Sequence, residues 1–231
     1  MCKSDDSLWF TDPLFGINGE WEGSRATPEQ ATTNVYRFGT DGKLTAVITD
    51  LLNPNGLAFS PDEKKLYVVE WKGTPNRSIW AYDVATDGSC SNKVKLIDAT
   101  GHGSLDGFRV DRDGNLWIVA FNESKIARYT PKTGQFTLFD LPVSPKGSDT
   151  PYALNVDRER HQVWVNGTNS DSVYRYDIAT QAWTMFPMQR RVTFTRDVEI
   201  SPKGKVYVSS ASFPSWHIED TQPTLIEITP R

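Results

Sequence analysis

A fourfold internal repeat is the feature that most limits what this 231-residue chain can become. The segments Asn55–Asp62, Asp106–Asp113, Tyr152–Glu159 and Arg196–Lys203 share one register, stepping by 51, 46 and 44 residues. Each unit opens with a short apolar segment and runs into a polar turn, as in Ser60-Pro-Asp-Glu-Lys or Asp111-Arg-Asp-Gly-Asn. Pro, Asp and Gly supply turn geometry at these places. A second strand follows at Leu66–Val69, Leu116–Val119, Val163–Val165 and Val206–Val208. A third follows at Ile79–Tyr82, Ile126–Tyr129, Val173–Tyr176 and Leu225–Ile228, and three units add a fourth at Val94–Ile97, Phe136–Phe139 and Trp183–Phe186. These segments are β-branched and aromatic, and nothing between them keeps a helical period.

Four antiparallel strands recurring every 40–50 residues is the pattern of β-propeller blades; a sandwich would not repeat its turn chemistry in this way. The expected fold is therefore an all-β propeller of four-stranded blades. The N-terminus enters mid-blade, with Leu8–Thr11, Val35–Phe38 and Leu44–Ile48 matching second, third and fourth strands. The last unit stops after its third strand. The expected count is nominally five blades, the first and last incomplete. Residues 1–6 are expected to pair as an improvised edge; if they do not, the exposed edges favour a homodimer.

Composition narrows the function. The net charge is −4 and no Lys/Arg cluster stands out, which argues against nucleic acid as partner. No apolar run approaches the ~20 residues of a membrane span. Aromatic residues make up 12% of the chain, which rules out disorder. Cys2 and Cys90 form neither a metal knuckle nor a disulfide framework. Without an apolar leader after Met1, the expected location is the cytoplasm.

In a propeller the first strand of every blade lines the central channel. Residues at one repeat position therefore converge, and here they are Asn55, Asp106, Tyr152 and Arg196. An amide oxygen and a carboxylate are hard ligands, suited to Ca²⁺ or Mg²⁺. Asn and Asp before Gly also serve simply as turn residues, so a purely structural role stands beside the metal reading. His102, His161 and His217 are scattered and make no zinc constellation.

Residues 7–121 resemble the gluconolactonase family, which includes regucalcin and the luciferin-regenerating enzyme. The matching stretches are Ser7–Pro13, Phe15-Gly16, Glu20–Gly23, Asn34–Arg37, Pro54–Asp62, Leu66–Val68, Asp106–Asp111 and Asp113–Trp117. The resemblance implies a six-bladed propeller with one divalent cation on its axis, calcium first, with magnesium or zinc as alternatives. It implies that Asn55 and Asp106 are ligands and that Asp106 is the base for the attacking water. The family's first ligand glutamate and a substrate-contacting asparagine belong upstream of the matched segment; Asp197 or Glu199 are the candidates to replace the former. From about residue 122 the chain instead resembles a virginiamycin B lyase (streptogramin lyase) propeller, at Thr150–Leu154, Asn169–Asp177 and Thr193–Glu199. The domain expectation is one propeller, 1–231, with a gluconolactonase-like part (1–121) and a streptogramin-lyase-like part (122–231).

The leading function is a metal-dependent hydrolase that opens a sugar-type lactone. Tyr152 and Arg196 would hold a hydroxyl or carboxylate of the small-molecule substrate. Glu20 sits with Trp21, Glu22 and Arg25 in a loop, Phe15–Glu29, that would cover the channel or else form a plain solvated loop. The alternatives are a non-catalytic binding platform and a streptogramin-type lyase, for which His217 and Glu219 are the nearest acid–base pair.

Overall fold

The computed structural model describes residues 1–20, 23–73, 77–99, 105, 107–120, 123–189, 193–211 and 223–230. Among the described residues it is all-β apart from one 3-10 turn at Phe15–Ile17, and its strands form blades of the β-propeller class. The chain divides into two compact units, Met1–Gly101 and His102–Arg231.

The first unit holds a three-stranded blade, β1 (Leu8–Asp12), β2 (Asn34–Phe38) and β3 (Leu44–Ile48). Beside it lies a four-stranded blade, β4 (Pro54–Phe59), β5 (Lys65–Glu70), β6 (Ser78–Val84) and β7 (Cys90–Asp98). The second unit holds two four-stranded blades. One is β8 (Phe108–Val110), β9 (Leu116–Ala120), β10 (Lys125–Thr130) and β11 (Gln135–Asp140). The other is β12 (Pro151–Asp157), β13 (Gln162–Gly167), β14 (Ser172–Asp177) and β15 (Ala182–Pro187). A three-stranded blade closes the unit: β16 (Thr195–Ile200), β17 (Val206–Ser210) and β18 (Thr224–Ile228). All pairings within the sheets are antiparallel and follow chain order. The incomplete first and last blades expected from the repeat are the two three-stranded sheets.

The repeated turn forms because a side chain at its first position replaces backbone partners. Ser60 Oγ accepts the Lys65 N–H (3.0 Å) and donates to Asp62 (2.6 Å). Asp111 accepts the N–H groups of Asp113 and Asn115, both at 2.9 Å, while Gly114 takes the left-handed φ of 87° that the turn requires. Asp157 accepts the N–H groups of Glu159 and Arg160, and Ser201 Oγ accepts that of Lys205. Asp111 also takes the indole N–H of Trp117 at 2.8 Å, so the turn is tied directly to the core.

Packing is sheet on sheet. The second strand of each blade carries an aromatic residue at one position: Trp9, Tyr67, Trp117, Trp164 and Tyr207. The first four are buried. Trp9, Val35, Phe59, Leu66 and Val68 pack between the two blades of the first unit. In the second unit Trp117, Leu154, Val165 and Tyr174 share one core, and Trp164, Val198 and Val206 another. Leu154 is 2% exposed at the centre of its cluster. Leu154→Ala should cost about 2–5 kcal/mol, from lost burial plus the cavity it leaves; urea unfolding read by tryptophan fluorescence checks this.

The N-terminal residues do pair. Cys2 bridges Leu8, the Met1 carbonyl accepts the Trp9 N–H (2.8 Å), and Lys3 N–H reaches the Ser7 carbonyl (3.0 Å). Asp5 holds the turn by accepting the Ser7 hydroxyl (2.5 Å) and N–H (3.0 Å), and Trp9 Nε1 donates to Ser7 Oγ at 2.9 Å. The Ser7 hydroxyl, with its N–H and Lys3 assisting, holds the Asp5 carboxyl at about 2, below its ordinary 3.8. A depressed carboxyl stabilises the fold fully above its unfolded value and loses that contribution as pH falls through its folded value. The hairpin should therefore keep its full contribution above about pH 4 and lose it towards about pH 2. The stability gap between wild type and Asp5→Asn, measured by urea titration, should close across that window; a gap independent of pH would remove Asp5 as the cause.

Candidate functional site

The four repeat positions were expected at the starts of inner strands. In β4, β12 and β16 the structure puts a bulge there. Pairing with the second strand slips between Pro54 and Leu57, between Pro151 and Leu154, and between Thr195 and Asp197. The residues that fall within these slips are Asn55 with Gly56, Tyr152 with Ala153, and Arg196. A bulge adds a residue that the ladder does not use and re-aims its side chain, which is why bulges gather at rims and sites.

In the first unit, Asn55 is half-buried and follows a tightly held approach. Asn53, buried and at φ 52°, receives the Leu14 N–H on Oδ1 (3.3 Å), and its own N–H goes to Thr33 Oγ1 (3.0 Å). Its Nδ2 meets no acceptor among the described residues. The buried Glu70 accepts the Leu52 N–H (2.9 Å) and the Trp80 indole (2.7 Å). Trp71 N–H bonds the Asn53 carbonyl (3.1 Å), which brings its ring to this end of the blade. Phe15 meets that ring edge-on at 5.1 Å, and the Arg77 guanidinium lies 4.3 Å over it. The loop that begins at Phe15 is therefore anchored beside the Asn55 bulge. It closes on itself through Ala26 N–H to the Ile17 carbonyl (3.2 Å), and exposed Glu20 accepts the Arg25 N–H (3.2 Å). Trp21 and Glu22 lie outside the described residues.

In the second unit the structure brings Tyr152 and Arg196 together. The guanidinium lies 4.0 Å over the phenol ring, and Nη2 donates to the Tyr152 hydroxyl at 2.8 Å. Neighbouring Phe194 holds φ 47°, an unusual angle for an aromatic residue, of the kind that accumulates where function constrains the backbone. One side chain organises both bulges. Asn166, fully buried, accepts the N–H groups of Tyr152 (3.0 Å) and Ala153 (2.7 Å) and donates to the Thr195 carbonyl (2.6 Å). Buried Asp149 secures the approach to β12 through the N–H groups of Thr150 and Asn169 and the hydroxyls of Ser170 and Tyr174.

A second polar group lies three residues further along the repeat. Asn155 Nδ2 donates to Glu199 Oε2 (3.2 Å) and to the Val198 carbonyl (3.0 Å), and Arg109 approaches Glu199 at 3.8 Å. Glu199 is largely solvent-exposed, so water screens that pair. The inner strands of this unit thus present hydroxyl, amide, guanidinium and carboxylate groups suited to a polyhydroxylated or acidic small molecule. Sequence reasoning missed Arg109, Asn155 and Asn166. The first two could have been found by reading the repeat at its third step as well as its first.

Asp106 lies outside the described residues, as do Trp216, His217 and Glu219. Among the described residues no three His, Cys, Asp or Glu side chains cluster as a metal cage. Cys2 and Cys90 are both free thiols, and burial pushes the Cys90 thiol up to about 12, which makes it a poor ligand or nucleophile at neutral pH. No helix among the described residues is long and apolar enough to cross a membrane.

Residues 1–150 match the family model described as the SMP-30/Gluconolactonase/LRE-like region. The chain belongs to that family. A gluconolactonase of Zymomonas mobilis is 34% identical over 122 residues, covering 49% of this chain and 33% of that protein. The solved gluconolactonase of Xanthomonas campestris superposes with a TM-score of 0.60 at 33% identity, over 72% of this chain and 52% of that one. The virginiamycin B lyase of Staphylococcus aureus superposes over 100% of this chain and 69% of its own, with a TM-score of 0.62 at 14% identity, a likeness of fold alone. The chain spans only a third to a half of the length of the curated relatives it matches.

Asn166→Ala would leave two half-buried N–H groups without this acceptor, at up to roughly 1–3 kcal/mol each. The variant should unfold at clearly lower urea, and the amide resonances of Tyr152 and Ala153 should lose their exchange protection while those of β5 keep theirs.

Proposed function

We propose that this protein hydrolyses a sugar-type lactone with the help of one divalent cation, calcium before magnesium or zinc. The observation that carries the reading is that the family match over residues 1–150 spans both oxygen-donor repeat positions, Asn55 and Asp106. The donor chemistry fits in kind: a half-buried amide on a bulge and a carboxylate are hard ligands, which suit calcium better than zinc. Such an ion, when bound, supplies a Lewis acid for the lactone carbonyl.

The chain's own residues do the rest. Asn55 offers a neutral oxygen, which keeps the net charge of the site low. Asp106 takes the proton from the attacking water. Tyr152 and Arg196, locked together, hold a hydroxyl or carboxylate of the sugar acid through a phenol proton and a guanidinium. Glu20 touches the substrate from the loop anchored on Trp71.

Two measurements test this. Hydrolysis of an aldonolactone, followed by acid release, should require calcium, stop in EDTA, and fall by about 10²–10⁴-fold in Asp106→Ala. Calcium should also raise the melting temperature of the wild type, and Asn55→Ala or Asp106→Ala should abolish that rise. Undiminished activity in Asp106→Ala removes the assigned base. A calcium-dependent melt with no hydrolysis of any sugar lactone converts the protein to a binding platform.

A further inference from the structure

The dipeptide Asn-Gly occurs three times in the chain, at Asn18, Asn55 and Asn166. It carries a latent reaction, because glycine has no side chain to shield its main-chain nitrogen from the carboxamide of the preceding asparagine. That nitrogen can attack the carboxamide carbon and close a five-membered imide. The reaction needs a side chain free to turn, a glycine N–H free of other bonds, and room for the ring.

Asn166 meets none of these needs. It is fully buried, accepts the N–H groups of Tyr152 and Ala153, and donates to the Thr195 carbonyl. Gly167 lies in the ladder opposite Pro151 and Ser172, and a side-chain carbon there would collide with the Asp149 carboxylate. Asn55 and Gly56 are half-buried and both belong to β4. Asn18 differs on every count. It is exposed, directly after the 3-10 turn Phe15–Ile17. Among the described residues no hydrogen bond holds the Asn18 carboxamide or the Gly19 N–H. Apart from its chain neighbours, no described residue comes within 4 Å of the point where a Gly19 side chain would begin. Asn18 rests at φ −79° and ψ −17°, so rotation about that second bond carries the Gly19 nitrogen towards the carboxamide carbon. The loop is closed below the pair by Ala26 N–H on the Ile17 carbonyl (3.2 Å), and Gly23 is seated against the Gly16 main chain. The pair can therefore react without opening a strand.

We propose that Asn18 is a self-modifying position, which Gly19 and water convert to aspartate and isoaspartate in the folded protein. The Gly19 nitrogen gives its proton to solvent and bonds to Asn18 Cγ. The bond from Cγ to Nδ2 breaks, and the nitrogen leaves as ammonia with a proton from water. A second water then opens the imide. Opening at Cγ gives aspartate. Opening at the main-chain carbonyl gives isoaspartate, which routes the main chain through Cγ and lengthens it by one carbon. The net exchange is one water in and one ammonia out, with nothing oxidised or reduced. The product adds one negative charge to a chain of formal charge −4, in the loop whose first residue packs on Trp71. On the reading of that loop as one that touches the lactone, turnover changes as well; the modification itself stands apart from lactone chemistry.

The test incubates the full-length chain in mildly alkaline heavy-oxygen water and follows its tryptic peptides by mass. Ser4–Arg25 contains Asn18 as its sole asparagine, Leu44–Lys64 contains Asn55, and His161–Arg175 contains Asn166. In the native chain Ser4–Arg25 should gain the mass of the amide-to-acid exchange, with its heavy oxygen, while the other two stay unchanged. In urea all three should gain it, because the protection of Asn55 and Asn166 is structural. Gly19→Ala, at a position with open space and no left-handed φ, should slow the native reaction at least about tenfold, since a side chain on the attacking residue raises the barrier. The proposal is overturned if native Ser4–Arg25 stays unchanged while the unfolded chain reacts, if all three native peptides react at one rate, or if Gly19→Ala leaves the rate unaltered. The mass readout needs no activity, so its failure and a failure of the lactonase reading are told apart.

Discussion

Strand register is the constraint from which the rest follows. Side chains alternate between the two faces of a sheet, so a slip of one residue would turn every core residue to the wrong face. Here the first turn of each repeat sets the register with one polar side chain: Ser60, Asp111, Asp157 or Ser201. Once that turn is closed, Tyr67, Trp117 and Trp164 fall on buried faces without further instruction. Asp111 shows the coupling most directly, because the carboxylate that closes the turn also receives the Trp117 indole.

The same register decides where function can reside. The pairing that holds firmly next to the turn slips at the far end of the inner strand, and the slipped residues are Asn55, Tyr152 and Arg196. A bulge there needs its exposed N–H groups satisfied. Asn166 does this for β12 and reaches across to β16 as well, so the stacked Tyr152–Arg196 pair rests on a buried amide that touches neither side chain's functional end. Asn53 and Glu70 play the corresponding part beside Asn55, with different side chains and the same purpose of holding a loop rigid at the strand end.

Much of this was legible in advance. Repeated turn chemistry and β-branched segments place nearly every strand, because a turn and a strand are each specified by a few neighbouring residues. The polar residues at the repeat position were legible too, since periodicity assigns them to equivalent places. The bulges were not. A bulge is a mismatch between two strands, and neither strand records it alone. Asn166 was invisible for the same reason: it lies on a second strand, inside a run that reads as core, and its importance comes from N–H groups that pairing leaves unsatisfied. Arg109 and Asn155 are aligned by the repeat yet acquire meaning only beside Glu199, which approaches them from β16.

The order of residues along the chain settles the class of fold, the number of blades and the chemical character of each inner-strand position, because local turn preference and period-two alternation act over a handful of residues. Which of those positions carry a bulge and which polar side chains come within hydrogen-bonding reach depend on partners tens of residues away. Those outcomes follow from three-dimensional packing, in which a buried amide or carboxylate must find a partner wherever the folded chain provides one.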